Sequence, residues 1–115
     1  MRIFFDGSGW NGRTSGFAVV FADSKKAPII VRLSEKRTNN EMEYAGLLEA
    51  LTHAQSGDEL FTDSQLLVGQ VLGGWKVNAV HLRPLVEKAK ALVPAKQVTL
   101  VWVPREQNLA GKIFE

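Results

Sequence analysis

Apolar and polar positions change period along this chain, and the changes mark its elements. The apolar run Arg2-Ile3-Phe4-Phe5 meets Asp6-Gly7-Ser8-Gly9, which predicts a short buried strand entering a glycine-rich turn with a carboxylate at the strand's end. After a polar loop, residues 16–22 and 28–33 predict two further strands, parted by the charged turn Asp23-Ser24-Lys25-Lys26, so the first three strands form an antiparallel meander. The period then shifts from alternation to helix. Tyr44, Leu47, Leu48 and Leu51 fall at i, i+3, i+4 and i+7, the stripe of an amphipathic helix, with a capping box at Thr38-Asn39-Asn40-Glu41 and a stop at Ser56-Gly57. Glu43 sits in the first turn and borders that stripe, whereas Glu49 faces outward.

Residues 58–62 predict a fourth strand, which again delivers a carboxylate, Asp63, where it ends. Helical patterns over 65–72 and 82–92 follow, separated by Gly73-Gly74-Trp75-Lys76 and a polar connection. Residues 98–103 predict a fifth strand closed by Pro104, and 106–115 a final helix that Gly111 weakens by roughly 1 kcal/mol relative to alanine. This order is a mixed α/β plan whose last two strands follow helical crossovers and run parallel.

Composition narrows the classes. At 115 residues, 45% apolar and 23% charged, the chain is globular in make-up and reads as one domain over 1–115. The net charge of +2 arises from seven basic and six acidic residues on each side of Gly57, so there is no basic tail and any binding of phosphate rests on placement. The absence of cysteine excludes disulfides, zinc–thiolate sites and thiol nucleophiles. No apolar run approaches the ~18 residues of a membrane span, and the strand pattern begins at Met1 without room for a signal peptide, so the expected location is cytoplasmic, with no membrane and no obligate protein partner.

Chemistry concentrates on carboxylates. If the first and fourth strands are parallel neighbours, Asp6 and Asp63 meet in the crevice at their carboxyl ends, and Glu43 reaches the same point from the intervening helix. Three crowded carboxylates repel one another unless a hard cation lies between them, and an oxygen-only set suits Mg²⁺ or Mn²⁺. Taken singly, Asp6 and Asp63 serve equally well as turn caps and Glu43 as the acid of a helix start.

Four motifs in order carry a more specific signal: Phe5-Asp6-Gly7-Ser8, Thr38-Asn39-Asn40-Glu41-Met42-Glu43, Thr62-Asp63-Ser64-Gln65 and Val103-Pro104-Arg105-Glu106-Gln107-Asn108. Together they resemble the type 1 ribonuclease H family over nearly the whole chain. The resemblance implies a five-stranded mixed sheet, ordered 3-2-1-4-5, with helices on both faces. It also implies endonucleolytic, metal-dependent hydrolysis of the RNA strand of RNA–DNA hybrids. It makes Asp6, Glu43 and Asp63 the first three members of an Asp-Glu-Asp-Asp catalytic and metal-binding set serving two cations. Gly7, Ser8, Asn39, Asn40, Gln65, Trp75 and Lys76 match positions that contact the hybrid. His53 and His81 match no functional position.

The chain departs from the family at its last motif. Where the family places a fourth acid, the sequence reads Asn108-Leu109-Ala110-Gly111-Lys112, so either Gly111 or Lys112 stands in the acid's place. Glu115, four residues after Gly111, is a candidate replacement ligand, and Glu106 a poorer one. Two readings follow: a hydrolase working with three carboxylates, or a catalytically weakened or inactive hybrid-binding module of the same fold.

Overall fold

In the computed structural model, which describes residues 1–114, the sheet is built outward from strand β1, Arg2–Ser8. On one side β2 (Ser15–Phe21) pairs with it antiparallel and β3 (Ile29–Leu33) pairs with β2; on the other, β4 (Glu59–Thr62) and β5 (Thr99–Trp102) run parallel, giving the order β3-β2-β1-β4-β5. Helices α1 (Asn39–His53), α2 (Gln65–Leu72) and α3 (Arg83–Ala95) complete the main elements. Among the described residues, no helix is long and apolar enough to cross a membrane.

Alternation along β1 divides the core. Ile3 and Phe5 are fully buried with Leu47, Leu51, Leu67 and Val86 of the helices, whereas Phe4 faces the opposite side, stacks on Phe61 at 4.7 Å and joins Ala18 and Ala110. That second side is covered by a short 3₁₀ turn, Gly111–Phe114, through Ile113 and Phe114.

Three local expectations change. β1 does not end at Phe5, because Gly7 and Ser8 continue the antiparallel ladder opposite Phe17 and Gly16, while the parallel ladder to β4 ends at Phe4 and Phe61. Asp6 therefore lies inside a strand but beyond the end of its parallel neighbour. Helix α1 has its capping box, with Glu41 N–H donating to Thr38 Oγ1 at 3.1 Å and Thr38 N–H to Glu41 Oε1 at 3.0 Å, yet stops at His53, and Gly57 forms the later turn at φ +92°.

The expected terminal helix is instead two 3₁₀ turns, Arg105–Gln107 and Gly111–Phe114. Asn108 breaks it: its backbone is extended (φ −83°, ψ 104°), its Nδ2 donates to Phe5 O at 3.0 Å and its Oδ1 accepts from Ala110 N–H at 3.1 Å. A side chain bonding the backbone in this way competes with helical hydrogen bonds.

Candidate active site

A missing side chain brings the first two acids together. A Cβ at Gly7 would overlap the Met42–Glu43 backbone, so only glycine lets the first turn of α1 lie directly on β1 and carry Glu43 alongside Asp6. Asn39 secures the approach by accepting from Gly9 N–H at 2.5 Å. Asp63 follows β4, with Trp102 Nε1 of β5 donating to its carbonyl at 3.1 Å, and Ser64 starts α2 by accepting from Leu67 N–H at 3.1 Å. One carboxylate oxygen each from Asp6, Glu43 and Asp63 lies within 4.8 Å of the other two.

This cluster is short of solvent and of partners. The side chains of Asp6 and Asp63 are 1% and 10% exposed. Asp6 Oδ1 and Glu43 Oε2 are buried without a hydrogen-bond partner among the described residues. Burial, reinforced by the charge of Asp6 beside it, pushes the Glu43 carboxyl up to about 9. Burial also raises Asp6, against the opposing pull of Arg105. Two orphaned, desolvated oxygens facing one space are the arrangement that a hard divalent cation satisfies, so the donor set fits Mg²⁺ or Mn²⁺.

The remaining sequence candidates divide among three hollows. Gly7, Ser8, Asn39 and Asn40 line the acid pocket of about 450 Å³, together with Ser64, Arg105 and Phe114. Gln65 and Trp75 line a separate, open apolar groove of about 560 Å³ that Trp102 also lines. Trp75 is 52% exposed and its ring lies against Gly69, where a Cβ would collide with it. Lys76 borders a small hollow that shares Asn40 with the acid pocket, so Asn40 links the two. His53 lies apart from the acids, with Nδ1 2.8 Å from Lys26 Nζ and Nε2 3.4 Å from Glu49. Gly111 is buried, Lys112 and Glu106 are exposed, and Glu115 lies outside the described residues.

Two residues that sequence reasoning passed over matter here. Arg105 Nη1 donates to Asp6 Oδ2 at 2.8 Å and to Asp63 Oδ2 at 2.9 Å, and these carboxylates hold its guanidinium well above its ordinary pKa. The signal for it was its position three residues past the end of β5, which adjoins the end of β4. Asn108, fully buried, ties this terminal segment to β1. Asn108→Ala leaves Phe5 O and Ala110 N–H without their partners and is expected to destabilise the protein by about 2–4 kcal/mol in urea unfolding.

Comparison with known proteins follows the same outline. The family model described as RNase H matches residues 1–111. The bifunctional protein Rv2228c of Mycobacterium tuberculosis is 34% identical over 100 residues, which are 83% of this chain and 26% of that protein. The chain thus spans about a quarter of the length of the curated relatives it matches. Among solved structures, RNase H1 of the archaeon Halobacterium salinarum superposes with a TM-score of 0.77 at 29% identity, covering 97% of this chain and 91% of that one. LC11-RNase H1, in complex with an RNA/DNA hybrid, gives a TM-score of 0.75 at 25% identity and 99% coverage of both chains.

Proposed function

The chain belongs to the ribonuclease H family, and we propose that it acts as one domain that cuts the RNA strand of RNA–DNA hybrids endonucleolytically, at the pocket of Asp6, Glu43 and Asp63. The observation that carries this reading is the meeting of three carboxylates from β1, α1 and the end of β4, with two buried oxygens left unpartnered among the described residues. Members of the family use divalent ions. Asp6, Glu43 and Asp63 would hold Mg²⁺ or Mn²⁺, which when bound polarises a phosphate oxygen and lowers the pKa of an attacking water.

The chain's own residues do the remaining work. Burial disfavours ionisation of Glu43 and Asp6, so their charged forms stay costly until a cation neutralises them. Ser8, Asn39 and Asn40 line the same pocket and present hydroxyl and amide groups to a ribose, whose 2′-hydroxyl both donates and accepts. Gly7, within β1, lets the first turn of α1 pack directly beside this pocket. Gln65, Trp75 and Lys76 flank the pocket on surfaces suited to the rest of the duplex, the indole for stacking and the ammonium for phosphate. The resemblance implies products with a 5′-phosphate and a 3′-hydroxyl.

The second reading, a weakened or inactive hybrid-binding module, draws on one observation: neither Gly111 nor Lys112 offers a carboxylate where the family has its fourth acid. Labelled RNA–DNA hybrid, RNA duplex, DNA duplex and single-stranded RNA, each incubated with Mg²⁺, Mn²⁺ or chelator, separate the readings. Metal-dependent cleavage of the hybrid alone supports the nuclease. Binding of the hybrid without cleavage under either metal gives the binding module instead.

A further inference from the structure

The two oxygens of Asp6 live in different surroundings. Oδ1 is buried and, like Oε2 of Glu43, has no hydrogen-bond partner among the described residues, while Oδ2 accepts from Arg105 Nη1 at 2.8 Å. The same nitrogen reaches Asp63 Oδ2 at 2.9 Å, so one positively charged group bridges carboxylates delivered by two neighbouring strands. Bridging of this kind is what a second cation would do in the two-cation arrangement that the family resemblance implies.

The guanidinium is also seated from the other side. Arg105 Nη2 donates to Gly111 O at 3.3 Å, and a Cβ built on Gly111 would stand 2.7 Å from Arg105 Nη1. Any side chain at 111 would require the end of the Arg105 side chain to move from this position. Gly111, one of the two positions that stand where the family's fourth acid is expected, is thus the residue that leaves the arginine this room.

We propose that the Arg105 guanidinium takes one of the two cation positions of this site, leaving a single divalent ion to the Asp6–Glu43 side. The proposal rests on the nuclease reading above and refines it. A guanidinium cannot activate water as a metal ion does, but its planar fork neutralises and orients a phosphate, and it is permanently charged. Arg105 suits that task because its side chain is 50% exposed and lines the acid pocket while its Nη1 is anchored below. Gly111 and Arg105 thus act as a pair, and the loss of the fourth acid is matched by a fixed positive charge.

Mn²⁺ stoichiometry, read by electron paramagnetic resonance and calorimetry on the full chain, tests this directly. Wild type is expected to bind one Mn²⁺ per chain in the low-millimolar range or tighter, and Asp6→Asn to lose it. Arg105→Gln is expected to admit a second Mn²⁺ or to bind the first roughly tenfold more tightly, while hybrid cleavage at saturating metal falls about 10- to 100-fold. Arg105→Lys should keep part of that cleavage. Two Mn²⁺ per wild-type chain, unchanged in Arg105→Gln, or full cleavage by Arg105→Gln, overturns the proposal while leaving the nuclease reading intact. No Mn²⁺ binding by wild type overturns both. Should Arg105→Gln not fold, nitrogen-detected NMR of the wild-type guanidinium decides: its signals should keep their bridged, slowly rotating character through one equivalent of Mg²⁺, and release into solvent-like signals would refute the shared site.

Discussion

Asp6→Asn and Asp63→Asn are each expected to lower hybrid cleavage by on the order of a thousandfold while hybrid binding stays equal or tightens. Asparagine keeps the shape of aspartate and removes its charge, so the cation loses a ligand and the phosphates lose a repelling neighbour. Asp6 carries the larger share, because its Oδ1 completes the buried pair with Glu43 and its Oδ2 anchors Arg105. The comparison variant is Glu49→Gln, which alters a half-buried acid remote from the cluster, whose carboxylate lies 3.4 Å from His53 Nε2 on the same helix. Gel-based cleavage and filter binding on all three proteins separate the effects. A uniform loss, Glu49→Gln included, would mean general destabilisation and would remove the catalytic assignment of Asp6 and Asp63.

The sheet order and the carriers of the three acids were legible because each rests on a short-range pattern. A strand followed by an aspartate occurs twice, at Phe5-Asp6 and Thr62-Asp63, and a capping box sets the start of α1 to within the turn that contains Glu43. The family resemblance then joined these local signals into one topology, with the strand order observed here. What local pattern could not supply was the approach of α1 to β1. It depends on the absence of a Cβ at Gly7, a requirement set by the backbone of residues more than thirty positions away.

The end of the chain was misread for a related reason. Periodicity over 106–115 scores the helix against solvent, whereas Asn108 spends its side chain on Phe5 O, a hundred residues upstream in β1. No sequence window contains both partners. Arg105 escaped attention similarly, since its role is defined by Asp6 and Asp63, which are distant in sequence, and by the empty volume at Gly111. A motif comparison marks Gly111 or Lys112 as a missing acid. The structure makes Gly111 the neighbour of a guanidinium.

Raising the pH is expected to destabilise the metal-free protein, and Glu43 is the cause. Its carboxyl is pushed from an ordinary 4.5 up to about 9 in the folded chain, chiefly by burial and secondarily by the charge of Asp6. Between those values the folded state holds a proton that the unfolded chain releases. Glu43 therefore contributes full stability below pH ~4.5, and that contribution declines as pH rises toward 9, by at most about 1.4 kcal/mol for each pH unit. Asp6 shifts in the same direction, for the same reason of burial, and adds to the decline. Glu43→Gln keeps the shape, removes the titration and should flatten the profile, leaving the apo protein more stable than wild type above neutrality although inactive. Mn²⁺ should reverse the wild-type slope, since the ion binds the deprotonated carboxylates and its uptake releases a proton. Urea unfolding between pH 5 and 9 with chelator, repeated with Mn²⁺ and with Glu43→Gln, measures all three curves. A wild-type profile in chelator as flat as that of Glu43→Gln would show that Glu43 is ionised at neutral pH without a cation, and the picture of a desolvated acid cluster awaiting positive charge would have to be abandoned.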